Sequence, residues 1–228
     1  MLQHVRSRAF ASASVRKLQY LAAAACRRLT PYFDDPGMLP LVEVVERHAE
    51  GRVALKEWAE AIRIGERYGW EAVTQVEESP AAAVRRTLRA LVSSPPPDAL
   101  EAVLAWAETC AARAAKPGKS RPTVMAFRRA HADLFREIFG NPFQERTIVP
   151  EWMANGGGSV PRWATRVSET AKALADGIQT NQAFERLPIL ADALEESGCT
   201  DTELLAHMRE PGRHVRGCWA LELVLGKG

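Results

Sequence analysis

Cysteine is scarce and scattered in this chain. Cys26, Cys110, Cys199 and Cys218 are the only four, and no two of them form a CxxC pair. That spacing excludes a disulfide framework and predicts reduced thiols in a cytosol. A charge excess of one sign is missing as well. Thirty Lys/Arg against 28 Asp/Glu leave a net charge of +2, so any attraction to nucleic acid must come from local patches. No apolar run approaches the ~20 residues that a membrane span requires, and no membrane partner is expected. No alternating run is long enough for a multi-strand sheet, since Ile148-Val149 and the stretch 221–225 are too short. HExxH, GxSxG, GxxxxGK[ST] and GxGxxG are all absent, which removes the familiar protease, hydrolase, nucleotide and dinucleotide signatures. The triplet Gly156 to Gly158 lacks the Lys-Ser/Thr that completes a phosphate loop.

What the chain has is helical period almost throughout. Ser14 is placed to cap a helix along Val15, Leu18, Leu21, Ala22, Ala25 and Leu29, ended by Thr30-Pro31. Leu39, Leu41, Val42 and Val45 outline a second helix, stopped at Gly51. A third is expected from Val53 to Tyr68, with Gly69 as its end. Ser79-Pro80 opens the next. Pro97 or Asp98 starts another after the break at Pro95, and Thr123 starts one that Gly140 closes. Helices resume around Trp163 to Ile178 and Ala183 to Glu196. The expected fold is all-α, a multi-helix bundle or an irregular helical-repeat-like array of about nine or ten helices. Its organisation reads as an N-terminal helical region (1–140), a connecting loop (141–161) and a C-terminal helical region (162–228), packed as one continuous unit. The glycine-bearing loop reads as a passive bridge rather than a binding loop, because no charged or nucleophilic cluster lies in it.

The first 33 residues hold six Lys/Arg and no acid. Their Arg, Ser and Ala content touches the pattern of a transit peptide, and LQYLAAAAC touches that of a lipoprotein signal. An alanine-rich amphipathic helix explains the same letters and is the expectation here.

REIFGNPF (136–143), GGGSVPRWA (156–164), AFERLPILADALEESGC (183–199) and HVRGCWALELVLGK (214–227) resemble a family of uncharacterised planctomycete bacterial proteins. RKLQYLAAAACRRL (16–29) and VEVVERHAEG (42–51) are similar to that family's first helices. The resemblance implies a bacterial cytoplasmic setting and relatives that accompany repeat or signalling modules; it implies no activity. It also implies a second cysteine beside Cys26 and one where Met208 stands. This chain lacks both, which weakens any reading that needs a cysteine-rich cluster.

The sharpest constellation is Cys199, His207, His214 and Cys218, in the order C-x7-H-x6-H-x3-C. Thiolate and imidazole donors suit tetrahedral zinc, and the four-residue step from His214 to Cys218 would put both on one helical face. The bland alternative is two buried cysteines and two locally bonded histidines. No other cofactor is expected. A thiol nucleophile at Cys218 or Cys199 has no surrounding family signature, so no catalytic residue is assigned and the reading leans away from an enzyme. The pairs Asp34-Asp35, Glu77-Glu78 and Glu195-Glu196 read as helix-end or solvated acids.

Basic residues are the remaining resource. Arg85, Arg86 and Arg89 form one patch; Arg113, Lys116, Lys119, Arg121, Arg128 and Arg129 form an acid-free second one. On one face they would follow phosphates, with binding that falls steeply with salt. The leading expectation is a helical protein–protein interaction or adaptor module, its partner another protein. Six tryptophans supply core, and one at a groove would anchor a peptide. A nucleic-acid-associated accessory protein is the alternative, and a zinc- or thiol-dependent enzyme a third. The sequence leaves oligomeric state open.

Overall fold

The structure, a computed structural model, describes residues 14–74, 79–115, 120–140, 169–212 and 214–226. It is all-α: among the described residues there are ten α-helices and no strand. None of these helices is long and apolar enough to cross a membrane. The chain divides into two compact units, residues 1–136 and 137–228.

The first unit holds α1 (Val15–Arg27), a 3-10 turn (Thr30–Tyr32), α2 (Met38–Ala49), α3 (Leu55–Thr74), α4 (Pro80–Ser93), α5 (Pro96–Ala114) and most of α6 (Ser120–Phe139). Ser14 caps α1, its Oγ accepting the Lys17 N–H at 3.3 Å, and Ser79 caps α4 in the same way through the Ala82 N–H. The run LQYLAAAAC is the buried body of α1. Its small alanines let α2, α4 and α5 pack close around one central helix. Gly51 ends α2 with a φ of 69°, a left-handed conformation that glycine adopts without strain.

Gly69 does not end α3, which runs on to Thr74. Both glycines of that helix exist for contact with α4. A Cβ on Gly65 would stand 2.3 Å from Val92 Cγ2, and one on Gly69 would stand 2.2 Å from Arg89 Cδ. They are sites of close helix–helix approach, and the helix absorbs their lower propensity through the packing they permit. Three starts also differ from the sequence expectation, the first that of α3, which begins at Leu55 rather than Val53. α5 begins at Pro96, with proline at the helix entry where its missing N–H is harmless, and α6 begins at Ser120, ahead of Thr123. The expected linker 141–161 and the expected helix start at Trp163 lie outside the described residues.

The second unit contains the end of α6, then α7 (Glu169–Asn181), a 3-10 turn (Phe184–Arg186), α8 (Leu187–Glu196), α9 (Thr202–Arg209) and α10 (Trp219–Val224). Ile178, Leu190, Leu194, Leu204, Met208 and Leu221 are among the residues that form its core. Gly198 (φ 91°) closes α8, and Asp201 opens α9 by accepting the N–H groups of Glu203 and Leu204. Gly217 (φ 84°) turns the chain into Cys218, the residue before α10. Gly140, also left-handed at φ 74°, sits against the Trp219 ring. That contact fixes the last turn of α6, which carries Glu137, beside the entry to α10.

Candidate functional site

Four side chains of the second unit converge. Glu137 comes from the last turn of α6, His207 from α9, His214 from the loop after it, and Cys218 from the turn into α10. One donor atom from each falls within a common 4.8 Å span. His214 Nδ1 lies 2.9 Å from Glu137 Oε1, and His207 Nε2 lies 3.3 Å from Glu137 Oε2. Cys218 Sγ is 3.4 Å from His207 Nε2 and 3.9 Å from His214 Nδ1. The two imidazole rings meet edge-on at 5.1 Å, and His207 also packs on Trp219. Cys218 is fully buried, and the side chains of His214, Glu137 and His207 are partly buried, 6%, 12% and 16% exposed.

Electrostatics follow from that crowding. Burial opposes the charge on Glu137, yet the hydrogen bonds and charges of His207 and His214 outweigh it and bring its pKa down to about 2. Burial likewise opposes protonation of His214, but the Glu137 carboxylate and the Glu210 carbonyl together raise its pKa. Burial first, and then the Glu137 charge, push the Cys218 thiol pKa well up, which favours the thiol over the thiolate.

Of the four residues singled out in the sequence, the structure brings His207, His214 and Cys218 together. Cys199 is not in the cluster. The Gly198 turn sends it into the core, where its N–H bonds the Leu194 carbonyl, and burial raises its thiol pKa. Glu137 holds the fourth place, and the sequence reading missed it. One local signal was present: an acid in the last turn of a helix opposes the helix dipole and needs a compensating cation. Cys26 and Cys110 are also free and buried, with burial the first cause of their raised pKa values.

The candidate basic patches are largely engaged. Arg85 bonds both carboxylate oxygens of Asp34 at 3.1 Å and lies 3.6 Å from Glu71. Arg86 donates to the Ala72 carbonyl and stacks over Trp106, while Arg89 pairs with Glu66 at 2.9 Å. Arg128 makes a two-point contact with Glu108. Arg113 sits exposed in the last turn of α5, where its charge complements the helix dipole. Arg129 is exposed. Lys116 and Lys119, with the side chain of Arg121, lie outside the described residues.

A different surface of the first unit stands out. Leu55, Trp70 and Val73 are 90%, 72% and 65% exposed. At 100° per residue they share one face of α3, together with half-buried Ile62.

No protein-family model matches the chain, and neither a curated protein nor a solved structure does.

Proposed function

We propose that the chain is a helical protein–protein interaction module, working in the bacterial cytoplasm with another protein as its partner. The observation that carries this reading is the exposed apolar face of α3, centred on Trp70. Tryptophan is among the residue types enriched at interface hot spots, and exposed Val73 stands one turn from Trp70 on the same face. The cytoplasmic setting rests on four free, buried cysteines and on the resemblance of the segments at 136–143, 156–164, 183–199 and 214–227 to the planctomycete family. The nucleic-acid alternative draws less support, because Arg85, Arg89 and Arg128 spend their charge on Asp34, Glu66 and Glu108.

The test is a photo-crosslinking residue at Val73 in host cells. The reading expects a discrete protein adduct that survives nuclease and disappears in Trp70→Glu, a variant that should fold normally because the side chain is exposed. No adduct, or adducts that nuclease removes, would count against it.

A further inference from the structure

A buried thiol, a carboxylate and two imidazoles gathered at hydrogen-bond distances need an explanation beyond packing. Such groups are expensive to remove from water unless they are paired or bind a metal. Glu137 faces both rings, and with the Cys218 sulfur 3.4 Å from His207 Nε2 and 3.9 Å from His214 Nδ1 the four residues present their ligand atoms to one small space.

We propose that Glu137, His207, His214 and Cys218 bind one zinc ion as a closed structural centre. Charge is the first argument. One carboxylate, one thiolate and two neutral imidazoles neutralise a divalent cation, so the complex is a buried site of zero net charge. Geometry is the second. Zn–N, Zn–O and Zn–S bonds of about 2.0 to 2.3 Å at tetrahedral angles separate the donor atoms by about 3.3–3.6 Å. The separations from His214 Nδ1 to Glu137 Oε1 (2.9 Å), from His207 Nε2 to Glu137 Oε2 (3.3 Å) and from Cys218 Sγ to the two nitrogens (3.4 and 3.9 Å) bracket that range. One donor atom from each residue lies within 4.8 Å of the other three, so side-chain adjustment that turns one carboxylate oxygen inward closes a tetrahedron.

The surroundings supply a third, independent argument. His214 Nε2 lies 3.3 Å from the Glu210 carbonyl oxygen, which can only accept. That contact holds a proton on Nε2, so Nδ1, whose proton faces Glu137 in the ion-free cluster, is the nitrogen that would release it and take the metal, with Nε2–H bonded outward as ligating histidines ordinarily have it.

The donor set also selects the ion. Mg²⁺ and Ca²⁺ prefer all-oxygen sites, Cu(I) prefers sulfur-rich ones, and iron–sulfur clusters take several cysteines. Mixed N, O and S donors in a tetrahedron suit zinc. Four protein ligands leave no position for an activated water, so the centre is structural rather than hydrolytic. Its mechanical role follows from where the ligands sit. Between α9 and α10 the chain passes through Pro211, Gly212 and Gly217, and the ion ties that connection to the ends of α6, α9 and α10.

The experiment is metal analysis of the full chain, with cobalt titration of the metal-stripped protein. Expected are about one zinc per chain and, with Co²⁺, a thiolate-to-cobalt charge-transfer band beside the intense d–d bands of a tetrahedral site. Glu137→Gln should weaken cobalt binding by more than about 10-fold, at least the cost of losing an outer-shell partner. Cys218→Ser should abolish the charge-transfer band, and Cys199→Ser should leave it intact. A folded wild-type chain that takes up neither zinc nor cobalt overturns the proposal. So does a charge-transfer band that depends on Cys199 and not on Cys218. The wild-type titration and the Cys199→Ser control both decide the matter even where Cys218→Ser fails to fold.

Discussion

Glu137 Oε1 and His214 Nδ1 lie 2.9 Å apart, though 77 positions separate them in the chain. The pair joins the last turn of α6 to the loop before α10, and His207 and Cys218 close around the same point. An acid in the last turn of a helix is unfavourable alone, and the proposed cation would compensate it.

Zinc removal should therefore lower the stability of the second unit. Zinc at about 100 times its dissociation constant stabilises the folded state by ~2.7 kcal/mol. Thermal melts of the stripped chain should rise on adding zinc and fall again with chelator. Cys199→Ser should keep that response, whereas Cys218→Ser should melt at the same temperature with or without the ion.

Two tryptophans should behave oppositely. Trp219 is buried against Gly140 and His207, and its replacement by alanine should cost ~3–5 kcal/mol. Trp70→Ala should change stability by less than about 0.5 kcal/mol while removing the contact surface of α3. A chain ending at Gly217 loses both Trp219 and Cys218 and should aggregate or lose cooperative unfolding. Denaturant melts of the three variants check the ordering.

The glycines of α3 make a graded pair. Gly65→Ala sets a methyl 2.3 Å from Val92 Cγ2 in a packed interface, and overpacking of that kind costs about 1–3 kcal/mol. Gly69→Ala meets only the flexible Arg89 side chain, which can swing away and give up Glu66. It should cost less. Val92→Ala should recover part of the loss in Gly65→Ala and none of that in Gly69→Ala.

Asp35 and Tyr68 predict pH dependence at opposite ends. The Gly37 N–H first, and then the Tyr68 hydroxyl, hold the Asp35 pKa below its ordinary value. A folded-state pKa below the unfolded one adds stability above the unfolded value, and that stability is lost as pH falls through the folded one. The melting-temperature gap between wild type and Asp35→Asn should shrink as acid is added through the carboxylate range. For Tyr68, burial first and the Asp35 contact second push the pKa up to about 12. Its contribution is complete below the ordinary value of 10.0 and is lost as pH rises toward about 12. Tyr68→Phe should flatten the alkaline limb of the melting profile.

Most helices were legible because their signals are local. Ser14 and Ser79 cap as their sequences imply, and the apolar stripes of α1, α2 and α4 are the faces they bury. Gly69 was misread because a glycine that ends a helix and one that admits a neighbour look alike until Arg89 is in place. The partners of the basic residues were out of view for a related reason: Arg85 pairs with Asp34, 51 residues away. At the candidate centre, His207, His214 and Cys218 were visible as a spaced set. Cys199 was drawn in by its chemistry and nearness in sequence. Glu137 carried only the weak local signal of an acid in a last helical turn, and it is tertiary packing that brings the end of α6 to the Gly217 turn.

X-ray absorption at the zinc edge of the zinc-loaded full chain tests the central claim most directly. The account predicts one sulfur at about 2.3 Å and three nitrogen or oxygen neighbours at about 2.0–2.1 Å, with imidazole scattering from two rings. Two sulfurs would return Cys199 to the site and remove Glu137, and a shell of oxygens alone would mean that zinc binds elsewhere.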